Sequence, residues 1–338
     1  MVNAVEHLKL PTQLAGLILQ VLEEQGVAAS KLLKGTHLNR ELLQSGDNDI
    51  SFKSMLGLIE QTIALSPTPD IGLRIGRREN ISTWGMLGYA IMSCATEWEA
   101  TQIGIQYYQA GPSMMAWSAR REDELVRLRL DSIGPMGNTL RFCVEENFAG
   151  HCAVSSELMN RKIRPIEMRL SYSPPDYADA YREYFECPVH FDQAENSVLM
   201  NIATDRPLKN ADPASAALCL KLVEDLVKRY AGEEDLIFRI RKILLRSPGA
   251  FPSMEDVASE LSLSSRTLRR QLADLDTSFA AVLTEVQKNL AIDYLTNSSL
   301  NVDQIGALLG YSETTNFRRA FKQWTGNPPT FYRASKGL

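Results

Sequence analysis

Apolar residues recur at three- and four-residue spacing from about Leu10 to Gln25 and from Ile50 to Leu65, which predicts two amphipathic helices. Gly35 and residues 45–49 read as turns between them. Pro67 and Pro69 end the second helix, and Asp70 is placed to cap the next one. From Trp84 to Ala95 the chain is apolar and rich in small residues, as expected of a buried helix. Thr96 to Tyr108 predicts another helix, opened by a capping-box-like Thr96…Glu99.

The period then changes. Met115–Ala119 and Leu125–Leu130 alternate in part around a charged turn at Arg121–Glu124, which predicts a hairpin. Helix returns from Leu140 to Asn160. Ile166–Tyr172 alternates as a strand that Pro174 and Pro175 end. A short helix, Tyr177–Phe185, precedes two strands, Val189–Phe191 and Ser197–Met200. Residues 1–205 therefore read as one α+β domain.

Asp205, Pro207 and Asp212-Pro213 mark a boundary. The helix from about Ala214 to Tyr230 carries Leu218, Leu222, Val223, Leu226 and Val227 on one stripe, and Gly232 interrupts it. Such a stripe packs on its own domain or pairs with a second copy, so residues 206–232 read as a linker and possible dimerisation helix. Leu236–Leu245 is a further helix ending at Ser247-Pro248-Gly249, and everything beyond is helical: Met254–Leu261, Ser265–Ala273, Phe279–Thr296, Val302–Leu309 and Glu313–Trp324.

Those last helices hold a duplication. Val257-Ala258-Ser259-Glu260-Leu261 and Ile305-Gly306-Ala307-Leu308-Leu309 lie 48 residues apart, and Leu268, Arg269, Arg270 and Leu272 match Phe317, Arg318, Arg319 and Phe321 at an offset of 49. Each copy has a small residue (Ala258, Gly306) where two helices can cross closely, then a turn, then a helix carrying an Arg-Arg pair. That is the pattern of a helix-turn-helix, whose second helix enters the DNA major groove. The helix between the copies spans ~27 Å at 1.5 Å per residue, near the ~34 Å between successive major-groove faces.

Composition narrows the class. The 338 residues carry a net charge of −5, an unexpected sign for a DNA binder, yet from Ala250 onward nine Lys/Arg balance nine Asp/Glu. Within that neutral part the cations cluster: Arg266, Arg269 and Arg270 on one second helix, Arg318, Arg319 and Lys322 on the other, and local clustering sets the field that phosphates meet. No segment approaches the ~20 apolar residues a membrane span needs, and the N-terminus lacks an export signal, which predicts a cytoplasmic protein without membrane contact. Five cysteines (94, 143, 152, 187, 219) without a CxxC pair fit reduced thiols. His151-Cys152 has no further ligand at metal spacing, so no metal and no cofactor are expected.

The run GYSETTNFRRAFKQWTGNPPTFYR, Gly310 to Arg333, resembles the C-terminal signature of the AraC/XylS family of bacterial transcription regulators, and SMEDVASELSLSSRTLRRQL, Ser253 to Leu272, resembles that family's first helix-turn-helix. Ser262 departs from the Gly common at such a turn; Gly310 keeps it in the second copy. WGMLGYAIMSCATEWEA, Trp84 to Ala100, and Asp205-Arg206-Pro207-Leu208 are similar to the sensor domain of the branch that includes ornithine-utilisation regulators. The resemblance implies an effector-sensing domain at 1–205 and an AraC-type DNA-binding domain at 233–338, with helix-turn-helix motifs at about 254–273 and 302–324. Its implied partners are double-stranded promoter DNA and a small-molecule effector; a homodimer and contact with RNA polymerase stay open.

On the first recognition helix, Leu268 and Leu272 must face the motif's core. Arg266, Thr267, Arg269 and Arg270 then face outward, and arginine's donor fork matches guanine O6 and N7. On the second, Phe317 and Phe321 are the buried pair, leaving Thr314, Thr315, Asn316 and Arg319 toward the groove and Lys322 toward phosphate. The rival role for Arg266, Arg269 or Arg270 is an ion pair with Asp256 or Glu260, or contact with phosphate only, and for Arg319 a bridge to Asp303 or Glu313. Trp84, Tyr89, Tyr107, Tyr108, Met114, Met115 and Trp117 are candidates to line an apolar effector pocket, against the plainer role of core. No acid–base or nucleophilic grouping stands out, so the chain reads as a regulator and not an enzyme. A ligand-independent regulator, whose first domain serves only dimerisation or partner binding, is the alternative.

Overall fold

The computed structural model describes residues 9–44, 49–110, 113–133, 136–202, 206–233, 236–245 and 249–334. A short antiparallel pair, β1 (Lys9–Pro11) and β2 (Asp49–Ser51), opens the fold. Helices α1 (Gln13–Glu24), α2 (Ala29–Leu32), α3 (Arg40–Gln44) and α4 (Phe52–Leu65) gather around it. The two long ones match the predicted helices. The strands had no sequence signal, because three residues are too few to show alternation. Residues 45–48 of the predicted turn lie outside the described residues.

Next come α5 (Ile71–Gly76), a 3-10 turn (Ile81–Trp84), α6 (Gly85–Met92) and α7 (Glu97–Ala110). Asp70 does occupy the cap position of α5, but its side chain makes no cap hydrogen bond there; it accepts instead from Arg74 Nε at 2.8 Å. The box at α7 holds in modified form: Thr96 Oγ1 accepts from the Glu99 amide at 3.1 Å, while the Glu99 carboxylate reaches back to the Ala95 amide at 2.7 Å. The helix expected over 84–95 is split by the 3-10 turn and shortened to α6.

The hairpin is present as β3 (Met115–Glu122) and β4 (Leu125–Ser132), followed by α8 (Leu140–Leu158), β5 (Glu167–Arg169), α9 (Ala178–Phe185), β6 (Val189–His190) and β7 (Asn196–Met200). The strands form one sheet in the order β3-β4-β7-β5-β6, antiparallel except for β5 with β6. Leu128 sits opposite Val198, and Val198 opposite Met168, so their apolar side chains share one face. The other face carries Arg127, Arg129, Asp131, Glu167 and Ser197. It is covered too: Arg127 is 4% exposed and pairs with Glu122 and Glu167, both at 2.9 Å. α5 crosses α8 closely because a Cβ at Gly76 would stand 2.3 Å from the Glu146 carbonyl oxygen, which only glycine avoids.

Arg206-Pro207-Leu208 is pinned to the loop before α7 by two backbone hydrogen bonds, from the Glu97 amide to the Arg206 carbonyl (3.1 Å) and from the Leu208 amide to the Ala95 carbonyl (3.0 Å). The buried Glu97 carboxylate adds ion pairs to Arg161 and Arg206. α10 (Pro213–Glu233) then runs through Gly232 without a break. Among the described side chains, its buried face shares only Val223 with the predicted stripe. Ala216, Cys219, Leu220 and Val223 turn inward, with Val223 against Ala90 and Tyr107, whereas Leu218 is 62% and Leu222 43% exposed. The side chains of Leu226 and Val227 lie outside the described residues.

The C-terminal part is helical throughout: α11 (Leu236–Leu245), α12 (Met254–Glu260), α13 (Ser265–Asp274), α14 (Phe279–Asn297), α15 (Val302–Leu308), α16 (Thr314–Thr325) and a short α17 (Pro329–Ala334) that the sequence pattern did not announce. Short polar residues set the starts. Ser253 with Asp256 and Asn301 with Gln304 form capping boxes on α12 and α15, and Ser264 and Ser278 cap α13 and α14. No helix among the described residues is long and apolar enough to cross a membrane.

Candidate DNA interface and sensor cleft

The two helix-turn-helix units are built alike. Val257, Leu268 and Leu272 close the first, and Ile305, Phe317 and Phe321 the second; none is more than 1% exposed, and each such burial contributes about 1.5–3 kcal/mol relative to an exposed side chain. The small residues act as predicted. Ala258 is buried, and a Cβ at Gly306 would already stand 3.3 Å from Phe317 Cβ. Both turns need a left-handed residue, Gly310 at φ 84° and Ser262 at φ 58°. Serine can take this position but bears a cost of about 1 kcal/mol that glycine avoids.

Packing these faces inward leaves the others out. Arg266, Arg269 and Arg270 on α13 and Thr315, Arg319 and Lys322 on α16 are exposed. Thr267, Thr314 and Asn316 are half-buried, and the Thr267 hydroxyl is engaged with Ser264 Oγ at 2.8 Å at the helix cap. The Asp256 carboxylate is turned to the Ser253 amide and hydroxyl. Asp303 pairs with Arg318 at 3.7 Å, while Arg319 donates to Asn316 Oδ1 at 3.3 Å, so the two outward residues of α16 touch each other. Inside the reader, Arg241 is fully buried and ion-paired with Glu285 at 2.6 Å.

The rod α14 joins the two units and also docks on the sheet. Ser132 Oγ donates to Asp293 Oδ2 (3.2 Å), Tyr294 Oη to the Ala194 carbonyl (3.1 Å), the Ser173 amide to the Asn297 carbonyl (2.9 Å), and the Ser299 amide just beyond the rod to Asp192 Oδ1 (2.9 Å). Burial pushes the Asp293 carboxyl up to about 7. On the sheet, Arg129 is held by Asp131 at 2.8 Å and Glu195 at 3.4 Å. This docking surface was not visible in the sequence, since it joins residues 100 to 161 positions apart.

On the Leu128 face of the sheet lies a cleft. Trp84 and Ile91, then Ala100, Thr101, Gly104 and Ile105 of α7, form one side; Trp117 and Leu128 of the sheet and His151, Ser155, Leu158 and Met159 the other. Its volume is about 510 Å3, open solvent at its mouth included. Of the predicted pocket residues, Trp84 and Trp117 line it. Tyr89 is exposed, Tyr107 packs beneath α10, Met114 and Met115 are buried elsewhere, and the Tyr108 side chain lies outside the described residues. His151 was weighed in the sequence only as a metal ligand. It lies tilted against Trp117 instead, ring centres 5.4 Å apart, and burial drives its imidazole down to about 4, so it is neutral. Among the described residues no group of His, Cys, Asp and Glu could hold a metal ion.

Behind the cleft, Trp84 Nε1 donates to Glu79 Oε2 at 2.8 Å and Trp117 Nε1 to Asn147 Oδ1 at 3.3 Å. Asn147 Nδ2 donates to Glu146 Oε2 at 2.6 Å, and Glu146 is hydrogen-bonded to Glu79. Desolvation raises both carboxyls, so the pair holds a proton between them and links the two indoles.

An α+β domain with a cleft, followed by paired helix-turn-helix units on one rod, is the architecture of a transcription regulator. Residues 26–206 match the arabinose-binding N-terminal domain of AraC transcription regulators, and residues 257–335 match a helix-turn-helix domain. The chain is 33% identical to the ornithine utilization regulator of Pseudomonas aeruginosa over 96% of each chain. It is also 34% identical to the regulator VqsM of the same organism over 46% of this chain and 49% of that one. Among solved structures, the regulator CdpR from Pseudomonas aeruginosa aligns over 97% of this chain and 100% of its own, at 24% identity and a TM-score of 0.49. The chain belongs to the AraC family: it is a DNA-binding transcription regulator with an arabinose-binding-like sensing domain.

Proposed function

We propose that this regulator reads two adjacent major-groove segments of a promoter, with α13 and α16 as recognition helices, and that a small molecule in the sheet-backed cleft governs the reading. The observation that carries the first part is the outward array of Arg266, Arg269 and Arg270 opposite buried Leu268 and Leu272, repeated by Thr315, Asn316 and Arg319 opposite Phe317 and Phe321. The rod between them is about 28 Å long, somewhat short of the ~34 Å between successive groove faces but of the same scale. Lys322 serves phosphate, and Thr267, already bonded at the cap, holds the helix start more than it reads bases.

The sensing half spans residues 1–205 and the reading half 233–338. Between them, α10 leaves Leu218 and Leu222 exposed on the face away from α6, which supports pairing with a second copy. A two-site operator would then be bound by a dimer.

The test is operator binding by fluorescence anisotropy. Arg266→Ala or Arg269→Ala should cost about 1–3 kcal/mol and relax preference at one base pair. Wild-type affinity and base preference in both variants would mean that α13 does not read bases.

A further inference from the structure

We propose that the cleft takes an uncharged, largely apolar ring molecule bearing one hydrogen-bonding group, seated with that group against His151 and Ser155. The inference rests on the effector-sensing reading above and narrows its chemistry.

The walls offer few polar groups. None of the twelve lining side chains carries a formal charge. Both indoles face the cleft with carbon only, because their N–H groups are spent behind the wall on Glu79 and Asn147. The carboxyls that satisfy this relay are tied to each other and to Asn147, and neither lines the cleft. Thr101 is also engaged, donating to the Glu97 carbonyl at 2.8 Å. That leaves the His151 imidazole and the Ser155 hydroxyl, one turn apart on α8 and therefore on one side of that helix.

A neutral imidazole offers one donor and one acceptor, and a hydroxyl can do either. Together they satisfy a single hydroxyl, phenol, carbonyl or amine-like N–H of a ligand. A carboxylate or ammonium would enter without a counter-charge, and a polyol would leave most hydroxyls without partners. The aromatic side chains of Trp84 and Trp117, with Ile91 and Ile105, suit a flat apolar body.

Calorimetric titration of the full-length protein tests this with four probes, benzyl alcohol, benzoate, L-ornithine and L-arabinose, and with toluene as the probe that lacks a hydrogen-bonding group. A filled-cleft variant serves as control. Gly104 lines the cleft and a Cβ there meets nothing within 4 Å, so Gly104→Leu starts from open space in the middle of a helix and adds bulk at the cleft wall. Benzyl alcohol should bind at least tenfold more tightly than the other three, and Gly104→Leu should weaken it at least tenfold. Ser155→Ala should weaken benzyl alcohol several-fold while leaving toluene unchanged. If a charged probe or the pentose binds best and Gly104→Leu abolishes that binding, the cleft is a sensor site and the proposed ligand class is wrong. If no probe responds to Gly104→Leu, the cleft is not a ligand site, and the effector-sensing reading falls with it.

Discussion

Asp293 gives a direct measure of how the reader is held on the sheet. The residue is 5% exposed, its carboxyl accepts from Ser132 at 3.2 Å, and burial pushes its pKa from 3.8 up to about 7. Arg129 on the docked sheet does not relieve it, being committed to Asp131 and Glu195. The native state favours the protonated acid, so the stability tied to this group is whole below about pH 4. It is lost at about 1.4 kcal/mol per pH unit up to about pH 7 and is level above that, a total of about 4 kcal/mol. Asp293→Asn keeps the shape and an oxygen for Ser132 while removing the charge. The variant should therefore gain up to about 4 kcal/mol at pH 8 but under about 2 kcal/mol at pH 5. At roughly 2–4 °C per kcal/mol the difference is several degrees. Thermal unfolding of both proteins at the two pH values, read by circular dichroism, measures it. Equal shifts at pH 5 and pH 8, or a loss at pH 8, would refute the reasoning.

Three other outcomes are expected from the same geometry. Ser262→Gly relieves a left-handed serine and should stabilise the reader by about 0.5–1 kcal/mol, as a rise in denaturation midpoint; a fall would show that the Ser262 side chain is worth more than the strain. Leu222→Glu, at a 43% exposed position, should leave thermal stability within about 0.5 kcal/mol yet shift full-length protein toward monomer in sedimentation; a monomer in both cases, with and without operator, removes the dimer. Operator affinity should fall steeply with salt although the reader is neutral overall, because the exposed cations sit together; an affinity flat from about 50 to 200 mM would contradict groove docking.

The reader was legible because each of its helices carries its own instructions. Ser253, Ser264, Ser278 and Asn301 mark starts, and Leu268/Leu272 and Phe317/Phe321 mark inward faces four residues apart. The sensor was legible only as far as its elements. In β4, Arg127, Arg129 and Asp131 alternate with Val126, Leu128 and Leu130, which reads as a solvated face, yet those charges are covered and paired. Of the twelve residues that line the cleft, two were named for it from the sequence. Trp84 and Trp117 announced themselves by size, whereas His151 and Ser155 acquire meaning only when α8 meets β3 and α7, and no local pattern encodes that meeting. On α10, Leu218 and Leu222 outweighed the smaller Ala216 and Cys219 in any count of apolar surface, yet it is Ala216 and Cys219 that turn inward beside Leu220 and Val223.

The grip on α14 is off-centre. Asp293, Tyr294 and Asn297 hold its C-terminal end, while the first helix-turn-helix hangs from the far end at Phe279, 14 residues and about 21 Å from Asp293. The rod is thus a lever with its fulcrum on the sheet. A tilt of about 5° at the fulcrum carries the far end through about 2 Å, several times the latitude of a hydrogen bond between an arginine and a base. On the proposed reading of a promoter by α13, a change of sub-ångström size under Ser132 would move that helix into or out of register with its half of the operator, with no need for the two halves to part.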